Sequence, residues 1–299
     1  MHILVVGPHL LPTDGMIFEG TRYLFDLAGV RMDEYQLYTD NNNNPILPHK
    51  TPTHIIVLGT PWVWDQCYKS NKYRGLAGLF EKYPSAKKLF FGIGSCLPLG
   101  KEQMIKADLI SNSQHLAPLF TNATIVTRDI LATEILKDYA PTPLPCPAYY
   151  AINPDYRGDS GPDAMIWYDP TIGLSSVDYA PGSELLDRFI SGFIAEYKLK
   201  KPQVYCIALE EIALALKLGL PTPRIVKGTG EAKVILANAR SIYSGRVHMA
   251  VPAYRLQKDI TLISVDSRGT VLSDVQCGAI KHPDVALDDY IKILTNWAQ

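Results

Sequence analysis

Ser244-Gly245-Arg246-Val247-His248 sets a hydroxyl, a glycine, a guanidinium and an imidazole in one row, between apolar neighbours. Arg246 and His248 are two residues apart. In an extended chain they project to one side together, and at the opening of a helix they crowd around its free N–H groups. Either arrangement offers a fixed cation and a titratable group to one small anion, and Gly245 lets the backbone come close. The plainer alternative is a strand-to-helix turn whose arginine pairs with a carboxylate and whose histidine packs at a domain edge.

Further candidates fall where strands run into helices. Thr13-Asp14-Gly15 sits in a turn-rich loop, Gly7 to Gly15, after the first apolar run, at the edge where open α/β sheets bind ligands. The same position also suits an aspartate that merely favours a helix start. Gly59 ends the second apolar run, and Gly92-Ile93-Gly94 ends the third. A G-x-G without a third glycine is a weak dinucleotide signal. Arg128 follows Ala123–Thr127 and puts a second cation at such a junction, unless it is absorbed by an ion pair with Asp129 or Glu134. Trp62 and Trp64 follow Gly59 and offer either a stacking surface for a sugar or base or ordinary packing.

The elements that must position these groups alternate. Apolar runs predict strands over 2–7, 54–59, 88–95, 123–127, 163–168, 203–209, 223–226 and 259–265. Helical spacing predicts helices over 17–29, 115–120, 130–139, 183–197, 210–218, 231–239 and 284–297, with Ser183 as an N-cap and Gly29 and Gly219 as C-terminal stops. Asn41–Asn44 with Pro45, Pro48 and Pro52 predicts an exposed connection. The prolines from Pro141 to Pro162 predict an interdomain linker. The expected fold class is α/β: two Rossmann-like parallel-sheet domains, residues 1–158 and 159–299, facing a cleft, with the closing helix able to pack back on the first domain.

With 299 residues, 47% hydrophobic and 20% charged, the chain can bury a core in each half. Its 29 basic and 30 acidic side chains nearly cancel, so no global field points to nucleic acid or an anionic membrane. Five scattered cysteines (67, 96, 146, 206 and 277) form no C-x-x-C pair and read as reduced thiols. With no signal-peptide pattern and no long apolar run, the expected location is cytoplasmic. No metal-binding motif shows. The sequence is silent on oligomeric state.

The succession of a glycine-bearing βα loop, Gly92-Ile93-Gly94, Thr127-Arg128-Asp129 and Ser244-Gly245-Arg246-Val247-His248-Met249 resembles the polysaccharide pyruvyl transferase family over most of the chain. Val126-Thr127-Arg128-Asp129 is similar to that family's arginine after a strand, and Arg246-Val247-His248 to its R-x-H motif. The chain departs from the family's N-x-G-D loop at Pro12-Thr13-Asp14-Gly15, and from its glycine triplet at Gly59-Thr60-Pro61. The resemblance implies a GT-B-like fold with an acceptor side in the first domain and a donor side in the second. It also implies no cofactor, phosphoenolpyruvate as donor, a glycan as acceptor, and ketal formation with release of phosphate.

In that reading His248 is the general acid/base and Arg128 and Arg246 clamp the donor. Ser244, Gly245, Asp14, Gly15, Gly59 and Gly94 line the substrate. Arginine suits flat oxyanions, and histidine gives and takes protons near neutrality. An empty site would hold the imidazole pKa down beside Arg246, and a bound dianion would raise it. The rival readings are a GT-B-type glycosyltransferase with a nucleotide-sugar donor, or a non-catalytic ligand-binding relative.

Overall fold

The computed structural model describes residues 1–7, 12–31, 35–38, 50–158, 160–170 and 182–299. The expected turn at Pro8 and His9 and the connection at Asn41–Asn44, Pro45 and Pro48 lie outside the described residues. The chain forms two compact units, the first made of Met1–His9, Thr21–Pro147 and Ser273–Gln299, the second of Leu10–Gly20 and Ala148–Leu272.

The first unit holds β1 (Ile3–Val6), β2 (Tyr35–Tyr38), β3 (His54–Leu58), β4 (Pro61–Val63), β5 (Lys87–Ser95), β6 (Ala123–Thr127) and β7 (Thr142–Pro143). Their order is β2-β1-β3-β5-β6-β7, with β4 alongside the end of β5, and all described pairings are parallel. The second unit holds β8 (Ala164–Ile166), β9 (Gln203–Cys206), β10 (Arg224–Ile225), β11 (Ser241–Ser244) and β12 (Asp259–Leu262), ordered β10-β9-β8-β11-β12 and again parallel. A parallel strand is covered on both faces, which is why Ile3–Val6 and His54–Leu58 are continuous buried runs rather than alternating ones. Each unit is thus a Rossmann-like parallel sheet, as the alternation of elements predicts.

The helices are α1 (Pro12–Leu27), α2 (Asn71–Lys82), α3 (Glu102–Ser111), α4 (Ala117–Phe120), α5 (Ile130–Ile135), α6 (Glu184–Lys200), α7 (Glu210–Lys217), α8 (Thr229–Asn238), α9 (Val247–Arg255), α10 (Thr270–Gln276) and α11 (Pro283–Ala298). Ser183 caps α6 by accepting the Leu186 N–H, and the glycines at 29 and 219 take the left-handed conformation that ends a helix. In the first unit α11 closes the core: Tyr290 packs edge-on against Phe91, and Trp297 against Phe25 and His54. In the second, Phe189 and Phe193 of α6 pack on Trp167 and Tyr168. Each such large buried side chain contributes about 1.5–3 kcal/mol.

One expectation changes. Thr13-Asp14-Gly15 is not a loop: α1 opens at Pro12, so these residues lie at the start of that helix, with Asp14 in its first turn. The first helical position tolerates proline, whose missing N–H has no intrahelical use there, and the first turn favours an acidic residue. The proline-rich stretch after 141 does carry the passage from one unit to the other, which falls between Pro147 and Ala148, and it is itself packed. Leu144, Cys146, Ala148, Tyr149 and Tyr150 are buried, and the chain winds through short 3-10 turns at Pro147–Ala151 and Pro154–Tyr156. In the second unit Tyr149 meets Tyr254, and Arg255 lies over Tyr150. Trp62 is buried in the first core with Lys72 stacked on it at 4.2 Å, the ordinary packing that was one of its two readings.

Candidate functional site

In the second unit the chain leaves β8, builds β9 and β10 to one side, then crosses back to place β11 on the other. The reversal falls between β8 and β11, and ligands of open α/β sheets bind outside the carboxyl ends at such a point. Pairing of Ser244 with Ile166 brings those two ends together. Beyond them lie Trp167, Tyr168 and Asp169 on one side and Gly245, Arg246 and His248 on the other.

The motif opens a helix: Arg246 is the N-cap of α9, with extended backbone. Ser244 Oγ accepts from the Arg246 N–H at 3.0 Å and donates to the Arg246 carbonyl at 2.9 Å, which fixes the turn. Gly245 is required by close packing. A methyl there would stand 2.8 Å from Tyr168 Cβ, 3.0 Å from Phe193 Cζ and 3.1 Å from Phe189 Cζ.

Arg246 Nη2 pairs with Glu211 Oε1, and its guanidinium carbon lies 4.6 Å from the Tyr168 ring centre. Glu211 has no exposed surface, and its other oxygen accepts from the Ile207 and Ala208 N–H groups at 2.9 and 3.1 Å. The arginine side chain keeps 14% exposure, so a buried carboxylate fixes it from behind while part of it stays open. The carboxylate partner expected by the plainer reading of the motif therefore exists, and it orients the cation. Arg246 Nε is enclosed with no acceptor among the described residues.

A second arginine shares the same ring. Arg268, after β12, lies 5.8 Å from the Tyr168 centre and forms a two-point pair with buried Asp266, at 2.8 Å from Nε and 2.6 Å from Nη2. Burial pushes the Tyr168 hydroxyl pKa up, opposed by the charges of Arg268 and Arg246.

His248 Nδ1 lies 3.4 Å from Asp14 Oδ1, with the two side chains 11% and 15% exposed. Asp14 belongs to the part of α1 that counts with the second unit. The next residue, Gly15, packs against Thr229 at the start of α8: a methyl on it would stand 3.1 Å from Thr229 Cβ, and closer still to Oγ1. Lys233 of α8 pairs with Glu19 of α1. This seat holds the Asp14 carboxylate against the imidazole.

Asp14, Gly15, Ser244, Gly245, Arg246 and His248 are therefore together in the second unit. Arg128, Gly59 and Gly94 belong to the first. There Arg128 is fully buried, its N–H donating to the Ile93 carbonyl at 2.9 Å. A methyl on Gly94 would meet Arg128 Nε at 2.6 Å and Asp129 Oδ2 at 2.5 Å. Asp129 caps α5, accepting from the Ala132 and Ser95 N–H groups at 2.7 and 2.8 Å, and burial raises its pKa against those bonds. Glu134 pairs with Lys106 at 2.5 Å. Gly59 lies against the Gly92 carbonyl. Among the described residues no group of three His, Cys, Asp or Glu is placed to hold a metal ion, and no helix is long and apolar enough to cross a membrane.

Tyr168, Glu211, Asp266 and Arg268 escape the sequence reading as site residues. The available signal was position, since each follows the carboxyl end of a strand in the second sheet, the rule that singled out Asp14.

No protein-family model matches the sequence, and no curated protein matches it. Among solved structures, an uncharacterized protein from Klebsiella pneumoniae is similar at a TM-score of 0.45 with 12% identity, covering 94% of this chain and 89% of that one. The UDP-GlcNAc 2-epimerase from Methanocaldococcus jannaschii is similar at 0.45 with 10% identity, covering 99% and 93%. The Neisseria meningitidis UDP-GlcNAc 2-epimerase bound to UDP-GlcNAc is similar at 0.40 with 7% identity, covering 100% and 94%. Likeness at this level assigns the chain neither a family nor a reaction.

Proposed function

We propose that the chain is a transferase of the pyruvyl transferase type, moving the pyruvyl unit of phosphoenolpyruvate to sugar hydroxyls as a ketal and releasing phosphate. One observation carries the reading: a buttressed arginine and an imidazole paired with a carboxylate flank one helix start at the switch point of a parallel sheet.

The donor has two oxyanions and an enol carbon. Arg246, fixed by Glu211, is the cation for one oxyanion, assisted by the first N–H groups of α9. Asp14 beside Nδ1 favours the proton on that nitrogen and leaves Nε2 to exchange protons. Protonation of the donor methylene makes an oxocarbenium-like centre, and a sugar hydroxyl adds to it as its proton departs. Phosphate then leaves, and a second hydroxyl closes the ketal with loss of its own proton. His248 is the group that supplies the first proton, takes up that of the first hydroxyl, passes it to the departing phosphate, and takes up that of the second. Arg128, enclosed within its own unit, is not needed for this assignment.

The test is phosphate release from phosphoenolpyruvate with a panel of glycan acceptors. Acceptor-dependent release is expected, falling about 10²–10⁴-fold in His248→Ala while donor binding holds within a few-fold. Protection from thermal unfolding by nucleoside diphosphates, with none by phosphoenolpyruvate, would replace this reading with a nucleotide-sugar glycosyltransferase.

A further inference from the structure

A donor with two separate oxyanions needs more than the one cation that the Arg-x-His motif supplies. The second sheet offers another. Arg246 follows β11 and Arg268 follows β12, which are paired neighbours. Both guanidinium groups lie within 6 Å of the same aromatic ring, at 4.6 and 5.8 Å from the Tyr168 centre. Each is backed by a carboxylate with no exposed surface, Glu211 or Asp266, while the arginine side chains keep 14% and 23% exposure. Burying two carboxylates is expensive unless they are paired and hydrogen-bonded. Asp266 takes Nε, Nη2 and the Arg268 N–H at 2.8, 2.6 and 2.9 Å, so its pair is fully directed.

A surface arginine with a solvated partner adds little and is held by little. An arginine fixed by a wholly buried acid is different, since its rotamer is set in advance and less order is lost when an oxyanion arrives. Tyr168 is the common platform, and Gly245 is the glycine that lets the motif's backbone lie against it. The two cations are thus built on adjacent strand ends beside one ring, two fixed anchors for a short molecule with two oxyanions.

We infer that Arg268, held by Asp266 and juxtaposed with Arg246 around the Tyr168 ring, is a second oxyanion-binding residue of the donor site. This rests on the phosphoenolpyruvate reading for the identity of the donor. One arginine takes the phosphate and the other the carboxylate, so losing Arg268 weakens the dianion far more than a ligand with one oxyanion.

Equilibrium binding of phosphoenolpyruvate and of inorganic phosphate to the full chain tests this, using Arg268→Gln, Arg268→Lys and the double variant Asp266→Asn/Arg268→Gln. The double variant removes the buried charge that the single one strands, so a folding defect in Arg268→Gln does not decide the question. Phosphoenolpyruvate affinity is expected to fall about tenfold to a hundredfold without the guanidinium, the range of a charge-assisted hydrogen-bonded contact, with Arg268→Lys in between. Phosphoenolpyruvate bound as tightly by a folded variant as by the parent overturns the role of Arg268 and leaves the donor reading intact. Phosphate binding that depends on Arg268, with no affinity for phosphoenolpyruvate, overturns the donor reading and keeps Arg268 as an anion ligand. A parent chain that binds neither overturns both.

Discussion

Gly15→Ala in α1 sets two effects of similar size against each other. Inside a helix, alanine is favoured over glycine by about 0.8–1 kcal/mol. At this position the added methyl would stand 3.1 Å from Thr229 Cβ and 3.3 Å from Cγ2, with Oγ1 well inside contact distance. A threonine has no flexible end to swing away, so either its rotamer is forced or the two helices separate, a strain of about 1–3 kcal/mol. The steric term wins. The single variant is expected to lose up to about 2 kcal/mol, or roughly 4–8 °C in melting temperature at about 2–4 °C per kcal/mol. In a Thr229→Ala background the Oγ1 and Cγ2 contacts vanish and only the one with Cβ remains. Gly15→Ala should then be neutral or stabilising. Urea denaturation of the four chains closes a double-mutant cycle with a coupling of about 1–3 kcal/mol, read against an additivity limit of about 0.5 kcal/mol. Donor turnover should follow the same pattern, because Asp14 moves with its neighbour and its carboxylate faces His248. Additive stabilities within that limit would refute the packing of α1 on the start of α8.

Glu211→Ala strands Arg246 and three backbone N–H groups, and is expected to destabilise the chain by about 3–5 kcal/mol, measured by urea denaturation. Glu211→Gln, which keeps an acceptor, should lose less. The His54 imidazole is held below its usual 6.5 mainly by burial, with Lys87 and the terminal amine adding to it. Between that lowered value and 6.5 the unfolded chain binds more protons, so stability is full above 6.5 and falls as pH drops through this window. Melting temperatures from pH 7.5 to 5 should show a shallower decline in His54→Gln than in the parent. Burial pushes the thiols of Cys67 and Cys206 up to about 11, whereas Cys277 is exposed. Iodoacetamide at neutral pH should label Cys277 in the folded chain, with Cys67 and Cys206 reacting only after denaturation, as mass spectrometry of tryptic peptides would show.

The central strands were legible because buried parallel strands need mainly apolar runs, as His54–Leu58 and Ala123–Thr127 show, whereas the short Tyr35–Tyr38, Pro61–Val63 and Thr142–Pro143 carry no such run and were missed. The start of α1 was misread because proline, threonine, aspartate and glycine also compose turns. Only Thr229, more than two hundred residues away, explains why a glycine stands within that helix. Proline density marked the stretch after 141 as the passage between units, but gave no sign that Tyr149 and Tyr150 within it are buried. In the site, Arg246 and His248 announced themselves by spacing. Glu211 did not, because it reaches Arg246 only through the crossing of β10 to β11; Asp14 stood out by position, but its pairing with His248 follows only from the seating of α1. Arg268 had no distinctive spacing at all; it acquires meaning from the ring it shares.

Neither unit is a continuous stretch of chain, and this bears on how the protein is made. The first unit has its strands by residue 143, yet Phe25, His54 and Phe91 meet Trp297 and Tyr290 only after α11 has been synthesised. Until then the nascent first unit carries aromatic surface that its own helix has yet to cover. Domains on a growing chain ordinarily fold in order as they emerge. Here the unit begun first is completed last, after every strand of the second sheet has been synthesised.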